Sequence, residues 1–209
     1  MSYEYLALAN YGDQVHLDFF LENRDEFIDW TEENFEYVRY NPRKDINRYG
    51  LSITSLDGGL SGKPDLDSLG EYNRENNTNY RETDFSVPTP VYHHPAIQYF
   101  IEPWKDYIYR THILKLESGG YFPGHRDSRE LDVDAFRLIV PLRNCNPPSV
   151  YFIVDNKILN WYESSLYFVN TSKAHTLFNA SSEPSYWIVL NVLCNHETAT
   201  KVIKYAKER

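Results

Sequence analysis

The sequence predicts a mainly β fold, a barrel or jelly roll, with flanking α-structure arranged as an N-terminal helical layer. Three observations predict it. Segments 107–116, 135–142, 150–154, 166–170, 174–180 and 186–193 are rich in β-branched and aromatic residues and are separated by turn formers. That is the pattern of short strands at regular spacing. Upstream, Val15, Phe19, Phe20, Phe27, Trp30, Phe35 and Val38 recur at roughly helical spacing. Finally, 209 residues with 42% hydrophobic content suffice for one domain with a real core.

Taken in order, the helix is expected over 15–40 and ends at Asn41-Pro42, because a residue before proline avoids the helical region. A turn-rich stretch follows over 54–90, carrying Asp57-Gly58-Gly59, Gly62-Lys63-Pro64 and the polar run Asn73, Asn76, Asn77 and Asn79. A connection of that length in a compact domain usually carries function. Tyr72, Tyr80 and Tyr92 flank it and are placed at the mouth of the barrel. His93 and His94 are adjacent on an extended chain, face opposite ways and make no joint ligand pair. Residues 1–106 then form the helical and loop layer, 107–195 the barrel and 196–209 a Lys-rich C-terminal helix, all within one domain, 1–209.

Composition removes several function classes. Lys and Arg total 21 against 30 Asp and Glu, a formal charge of −9. A nucleic-acid surface needs clustered cations and is excluded; a basic or neutral small molecule or peptide is the expected partner. No basic n-region leads an apolar stretch at the N-terminus, and no apolar run approaches the ~20 residues of a membrane span. A cytoplasmic protein without membrane contact is therefore expected. Cys145 and Cys194 have the spacing of neither a disulfide framework nor a zinc site, and are read as free thiols. A Ser/His/Asp hydrolase is rejected, since no Gly-x-Ser-x-Gly elbow is present.

The most informative text is Tyr121-Phe122-Pro123-Gly124-His125-Arg126-Asp127, followed much later by Ala174-His175-Thr176. His-x-Asp with a distant His is the 2-His-1-carboxylate pattern that holds Fe(II) on one face and leaves positions open. By itself His-x-Asp is weak, because 14 Asp and 7 His in 209 residues give roughly half a chance match. His16-Leu17-Asp18 matches as well. Geometry separates the two: positions i and i+2 lie on opposite sides of a helix but share a face of a strand. His16 and Asp18 fall in the helical stretch, whereas His125 and Asp127 follow a Pro-Gly turn at a strand end.

From about Tyr109 to Leu193 the chain resembles the Fe(II)- and 2-oxoglutarate-dependent oxygenases, especially aspartyl/asparaginyl β-hydroxylase-like and proline hydroxylase-like members. The matching text is Gly124-His125-Arg126-Asp127, then Phe136-Arg137-Leu138-Ile139-Val140-Pro141-Leu142, then Ala174 to Ser181. The resemblance implies a double-stranded β-helix, a cupin-like jelly roll, with iron in its mouth held by His125, Asp127 and His175. It implies consumption of dioxygen and conversion of 2-oxoglutarate to succinate, coupled to hydroxylation of an amino acid or peptidyl side chain. Arg137 matches an arginine that in these relatives grips a 2-oxoglutarate carboxylate, a task suited to bidentate guanidinium pairing.

The sequence departs from the relatives after His175. They carry an arginine about ten residues beyond the distal histidine, but here Glu183-Pro184-Ser185-Tyr186-Trp187 occupies that region, and no Lys or Arg lies between His175 and Lys201. Lys115 or Arg110 are the candidate replacements, with the Ser185 or Tyr186 hydroxyl assisting. Regular alternation would point Arg110 and Lys115 to opposite faces, so at most one can serve. The alternatives are a metal-binding jelly roll that has lost 2-oxoglutarate turnover, or a cupin-type metal enzyme with another co-substrate.

Overall fold

A computed structural model describes residues 4–8, 14–127, 134–162 and 165–206. The chain runs through strand β1 (Tyr5–Ala7), helix α1 (Gln14–Asn34), β2 (Val38–Arg39), β3 (Arg48–Ser52) and β4 (Thr54–Ser55). Helix α2 (Leu69–Asn76), β5 (Val87–Pro88) and α3 (Pro95–Ile101) follow. Next come β6 (Ile108–Leu116), β7 (Tyr121–His125), β8 (Ala135–Arg143), β9 (Val150–Val154) and β10 (Lys157–Ile158). The last elements are β11 (Tyr167–Val169), β12 (His175–Asn179), β13 (Ser185–Leu193) and α4 (His196–Tyr205). The six strands expected from sequence correspond to β6, β8, β9, β11, β12 and β13, each within a residue at either end. Residues 207–209 of the expected C-terminal helix lie outside the described residues.

Two antiparallel sheets carry the fold. The larger has the order β1-β11-β8-β13-β6-β3-β2 and the smaller β10-β9-β12-β7. From β6 onward the chain passes back and forth between them, so β6, β13, β8 and β11 face β7, β12, β9 and β10. This is a double-stranded β-helix. Strand β13 sits centrally, paired to β6 and β8, and the alternation of its side chains builds two cores. Ile188 and Leu190 face a cluster with Phe20, Phe27 and Phe100 from α1 and α3. Trp187 and Val189 face the barrel interior with Leu114, Leu116, Ile139, Phe152 and Leu177.

The acidic character of α1 has a structural use. On the outer face of the large sheet Arg143 Nε reaches Asp25 at 3.0 Å and its Nη2 reaches Asp29 at 3.0 Å. Lys115 bridges Glu32 at 3.0 Å and Glu117 at 2.9 Å, and the Tyr186 hydroxyl donates to Glu32 at 2.8 Å. The helix stops at Asn34 rather than Tyr40. Phe35 packs edge-on against Trp30 at 5.1 Å, and Val38 and Arg39 pair with Gly50 and Tyr49. Sheet pairing there overrides the helical period.

The 54–90 stretch is more ordered than its turn signals suggest, holding α2 and the β4–β5 pair. Asn77 caps α2 in the left-handed conformation, φ 52°, which asparagine tolerates better than most residues. Tyr72 pairs with Tyr80 and Tyr80 with Phe85, so these tyrosines pack within the segment instead of lining the mouth; Tyr92 lies off the cavity as well. His94 is structural: its ring packs on Trp30 at 4.4 Å, and its Nδ1 accepts from Ala96 N at 3.3 Å to cap α3. Cys145 is buried and Cys194 exposed, and neither forms a disulfide. Among the described residues no helix is long and apolar enough to cross a membrane.

Candidate metal centre

Strand β7 was not expected from sequence, because Pro123-Gly124 reads as a turn. It lies at the edge of the small sheet, where a proline without an N–H is tolerated. Its last residue, His125, is the Cα partner of His175, the first residue of β12. Sheet pairing thus sets the two imidazoles side by side, ring centroids 4.3 Å apart. Each ring is fixed the same way. His125 Nδ1 bonds the Pro123 carbonyl at 2.7 Å and His175 Nδ1 the Lys173 carbonyl at 3.0 Å. A carbonyl only accepts, so both Nδ1 atoms carry a proton, and Nε2 is the atom that each ring, when neutral, offers to a metal.

Asp127 sits two residues beyond β7, its backbone N–H donating to the Thr171 carbonyl at 3.0 Å. Its Oδ1 lies 3.5 Å from His125 Nε2 and 3.9 Å from His175 Nε2. Ligand atoms of the three residues all fall within 4.8 Å of one another. Burial works against ionisation of Asp127, but the Arg137 charge and hydrogen bonds from His125 and Arg137 hold its carboxyl far below the usual range. Hydrogen bonding to Asp127 raises the His125 pKa, while burial lowers that of His175. Two neutral nitrogens and one carboxylate oxygen converging on one point form a donor set that fits a divalent iron-type ion.

A cavity of about 910 Å³ opens over this point, and both Arg137 and Arg110 line it. Arg137 donates from Nε to Asp127 Oδ2 at 2.6 Å and from Nη1 to Asn191 Oδ1 at 2.6 Å. The arginine expected at the co-substrate therefore first orients the ligand carboxylate. Asn191, which sequence reasoning did not single out, extends the chain by donating to the Arg110 carbonyl at 2.8 Å. Arg110 has φ 47° and lies at the irregularity where Tyr109 pairs Asn191 but His112 pairs Val189. This β-bulge turns both Tyr109 and Arg110 toward the cavity. Its guanidinium is consumed by the Asp65 and Asp67 carbonyls and by Glu82, at 2.6 Å from Nη1, tying the 54–90 segment to the barrel.

The other two residues expected at the co-substrate are not brought to the cavity. Lys115 points to the outer face, where Glu32 and Glu117 hold it. Ser185 is fully buried on the barrel floor, its hydroxyl accepting from Trp187 Nε1 at 2.7 Å. The cation that sequence reasoning missed is Arg48, on β3. It is 4% exposed and lines the cavity, with its Cζ 4.3 Å from the Phe122 ring centroid. Only the backbone pairing of β3 with β6 brings it there, a long-range fact no local motif announces.

His112 also lines the cavity; burial pushes its pKa down to about 3, against the weaker support of its bond to the Arg110 carbonyl. The unfolded chain takes this proton near the ordinary value of about 6.5. Stability present above that value is therefore lost as pH falls from there toward 3. A His112→Asn variant should lose less stability than the parent between pH 7.5 and 5 in urea titrations. Equal losses would show that His112 does not set the acid sensitivity.

No family model matches the chain, and no curated protein matches its sequence. Solved structures do resemble it. The non-heme alpha ketoglutarate dependent epimerase SnoN from nogalamycin biosynthesis superposes with a TM-score of 0.50 at 11% identity, covering 91% of this chain and 78% of the other. A Pseudomonas putida prolyl-4-hydroxylase gives 0.49 at 10% identity, with 93% and 94% covered. A predicted oxalate decarboxylase from Thermotoga maritima gives 0.33 at 13% identity, with 44% and 73% covered. The likeness is one of fold. At these identities it agrees with the double-stranded β-helix and goes no further.

Proposed function

We propose that the chain is a non-haem Fe(II)- and 2-oxoglutarate-dependent dioxygenase that hydroxylates an amino acid or peptidyl side chain. The carrying observation is the convergence of His125 Nε2, Asp127 Oδ1 and His175 Nε2 at the mouth of a double-stranded β-helix, with both Nδ1 atoms already committed to backbone carbonyls. Bound there, Fe(II) with 2-oxoglutarate and dioxygen supplies the oxidising power that the side chains of this protein lack.

The protein contributes geometry and exclusion of water. His125 and His175 are held in the ligating tautomer by Pro123 and Lys173. Asp127 is kept ionised and aimed by Arg137, which Asn191 holds in turn. Arg137 Nη2 has no partner among the described residues and is the group we assign to an incoming carboxylate near the centre. Phe122, Phe152 and Leu177 line the cavity, keeping water from competing for the open positions. Leu69, Gly70 and Glu82 from the 54–90 stretch also line it, so this segment is where a substrate side chain is selected.

Succinate formation tests the reading. The protein with Fe(II), oxygen and 2-oxoglutarate should release succinate even without a prime substrate, in uncoupled turnover. No succinate, together with metal binding indifferent to 2-oxoglutarate, would replace the dioxygenase with a metal-binding jelly roll.

A further inference from the structure

Arginine is almost never buried without a partner, and burial opposes the charge of Arg48. Its Nε reaches the Tyr40 carbonyl at 3.4 Å, a long contact. The rings of Phe122 and Tyr40 lie 4.3 Å and 5.5 Å from Cζ. No carboxylate pairs with it among the described residues. Every other cation lining the cavity is engaged or solvated. Arg110 is consumed by Glu82 and two carbonyls, Arg137 is tied to Asp127 and Asn191 with only the Nη2 already assigned to the carboxylate near the centre left over, and Lys44 stands at the exposed rim. Arg48 is a buried, permanently charged fork facing a cavity and missing an anion.

Its position relative to the three ligand residues is defined by one side chain. The Phe122 ring lies 4.3 Å from the Arg48 Cζ and 6.4 Å, at 24° to parallel, from the His125 ring. One aromatic side chain thus neighbours both the guanidinium and a ligand imidazole, and Arg48, Phe122, His125, Asp127 and His175 all line the same cavity. Strand pairing supports the same placement, because Arg48, Gly50 and Ser52 of β3 are the Cα partners of Leu116, Leu114 and His112 of β6. Leu114 and His112 line the cavity.

We propose that Arg48 receives the distal carboxylate of the co-substrate, so that the specificity of this barrel for a 2-oxo diacid is supplied by a strand outside its eight core strands. The proposal rests on the dioxygenase reading and adds to it the residue that takes the place of the arginine missing after His175. Guanidinium–carboxylate pairing is bidentate and charge-assisted, and the Phe122 face steadies the guanidinium plane while leaving its edge to the ligand.

Mn(II)-loaded protein under anaerobic conditions provides a test that needs no turnover. Binding of 2-oxoglutarate and of 2-oxopentanoate, which has the same chain length but no distal carboxylate, is measured by calorimetry on the parent, Arg48→Met and Arg48→Lys. The parent should favour 2-oxoglutarate by about 10- to 100-fold, the worth of one charge-assisted pair. Arg48→Met, which keeps the apolar stem, should lose that preference by weakening 2-oxoglutarate alone. Mn(II) affinity should stay at the parental value, reporting an intact centre. Arg48→Lys should fall between, and decides the matter if the Met variant does not fold. A parent that prefers the diacid together with variants that retain the full preference would overturn the Arg48 assignment and leave the dioxygenase reading standing. A parent that binds neither acid, or both equally, would overturn the assignment too, and binding of neither would remove the dioxygenase reading with it.

Discussion

His175→Ala should weaken Fe(II) or Mn(II) binding by more than about 100-fold, beyond the 10–100-fold typical of changes that only reorient a ligand. It should also abolish succinate formation. The residue supplies one of three converging donors, and with two left no face remains to grip the ion. Its backbone pairs with His125 on one side and Val154 on the other, and alanine keeps those pairings. The metal-free variant should therefore melt within a few degrees of the parent. Metal titration beside thermal melting checks both halves; parental affinity in a folded variant would remove His175 from the centre.

Trp187→Ala should have the largest effect on stability, about 3–5 kcal/mol. In a chain of this size that is a fall of roughly 6–20 °C in melting temperature. Trp187 is 1% exposed and closes the barrel floor, its ring 5.5 Å from Trp161 and 5.9 Å from Phe152, both in edge-on contact. Truncation empties the space beneath the cavity and leaves the Ser185 hydroxyl without its donor. Urea unfolding measures the loss, and a change below about 1 kcal/mol would mean that the floor collapses to fill the gap.

Local patterns carried the barrel well. Strands β6, β8, β9, β11, β12 and β13 are β-branched and aromatic because they bury side chains on one or both faces, and such residues declare themselves in any short window. The His-x-Asp pair and the distant His were legible because an i, i+2 spacing constrains geometry. Features set by distant pairing were not legible. Strand β7 hides behind Pro123-Gly124, since edge pairing tolerates what local propensity forbids. Lys115 and Ser185 sat in strands of the right kind, yet one faces α1 and the other faces Trp187, and only the assembled sheet decides between those faces. Arg48 resembles a surface arginine in an unremarkable stretch until β3 is laid against β6.

The Asp127–Arg137 ion pair joins the small sheet to the large one, since Asp127 trails β7 and Arg137 belongs to β8. A sandwich plugged by Trp187 at one end is mechanically a clamp with a fixed jaw and two free ends. The ion pair is a rivet across those free ends. The same carboxylate that would grip the ion therefore limits how far the jaw opens, so rigidity of the rim and readiness of the ligand set are one property of the molecule.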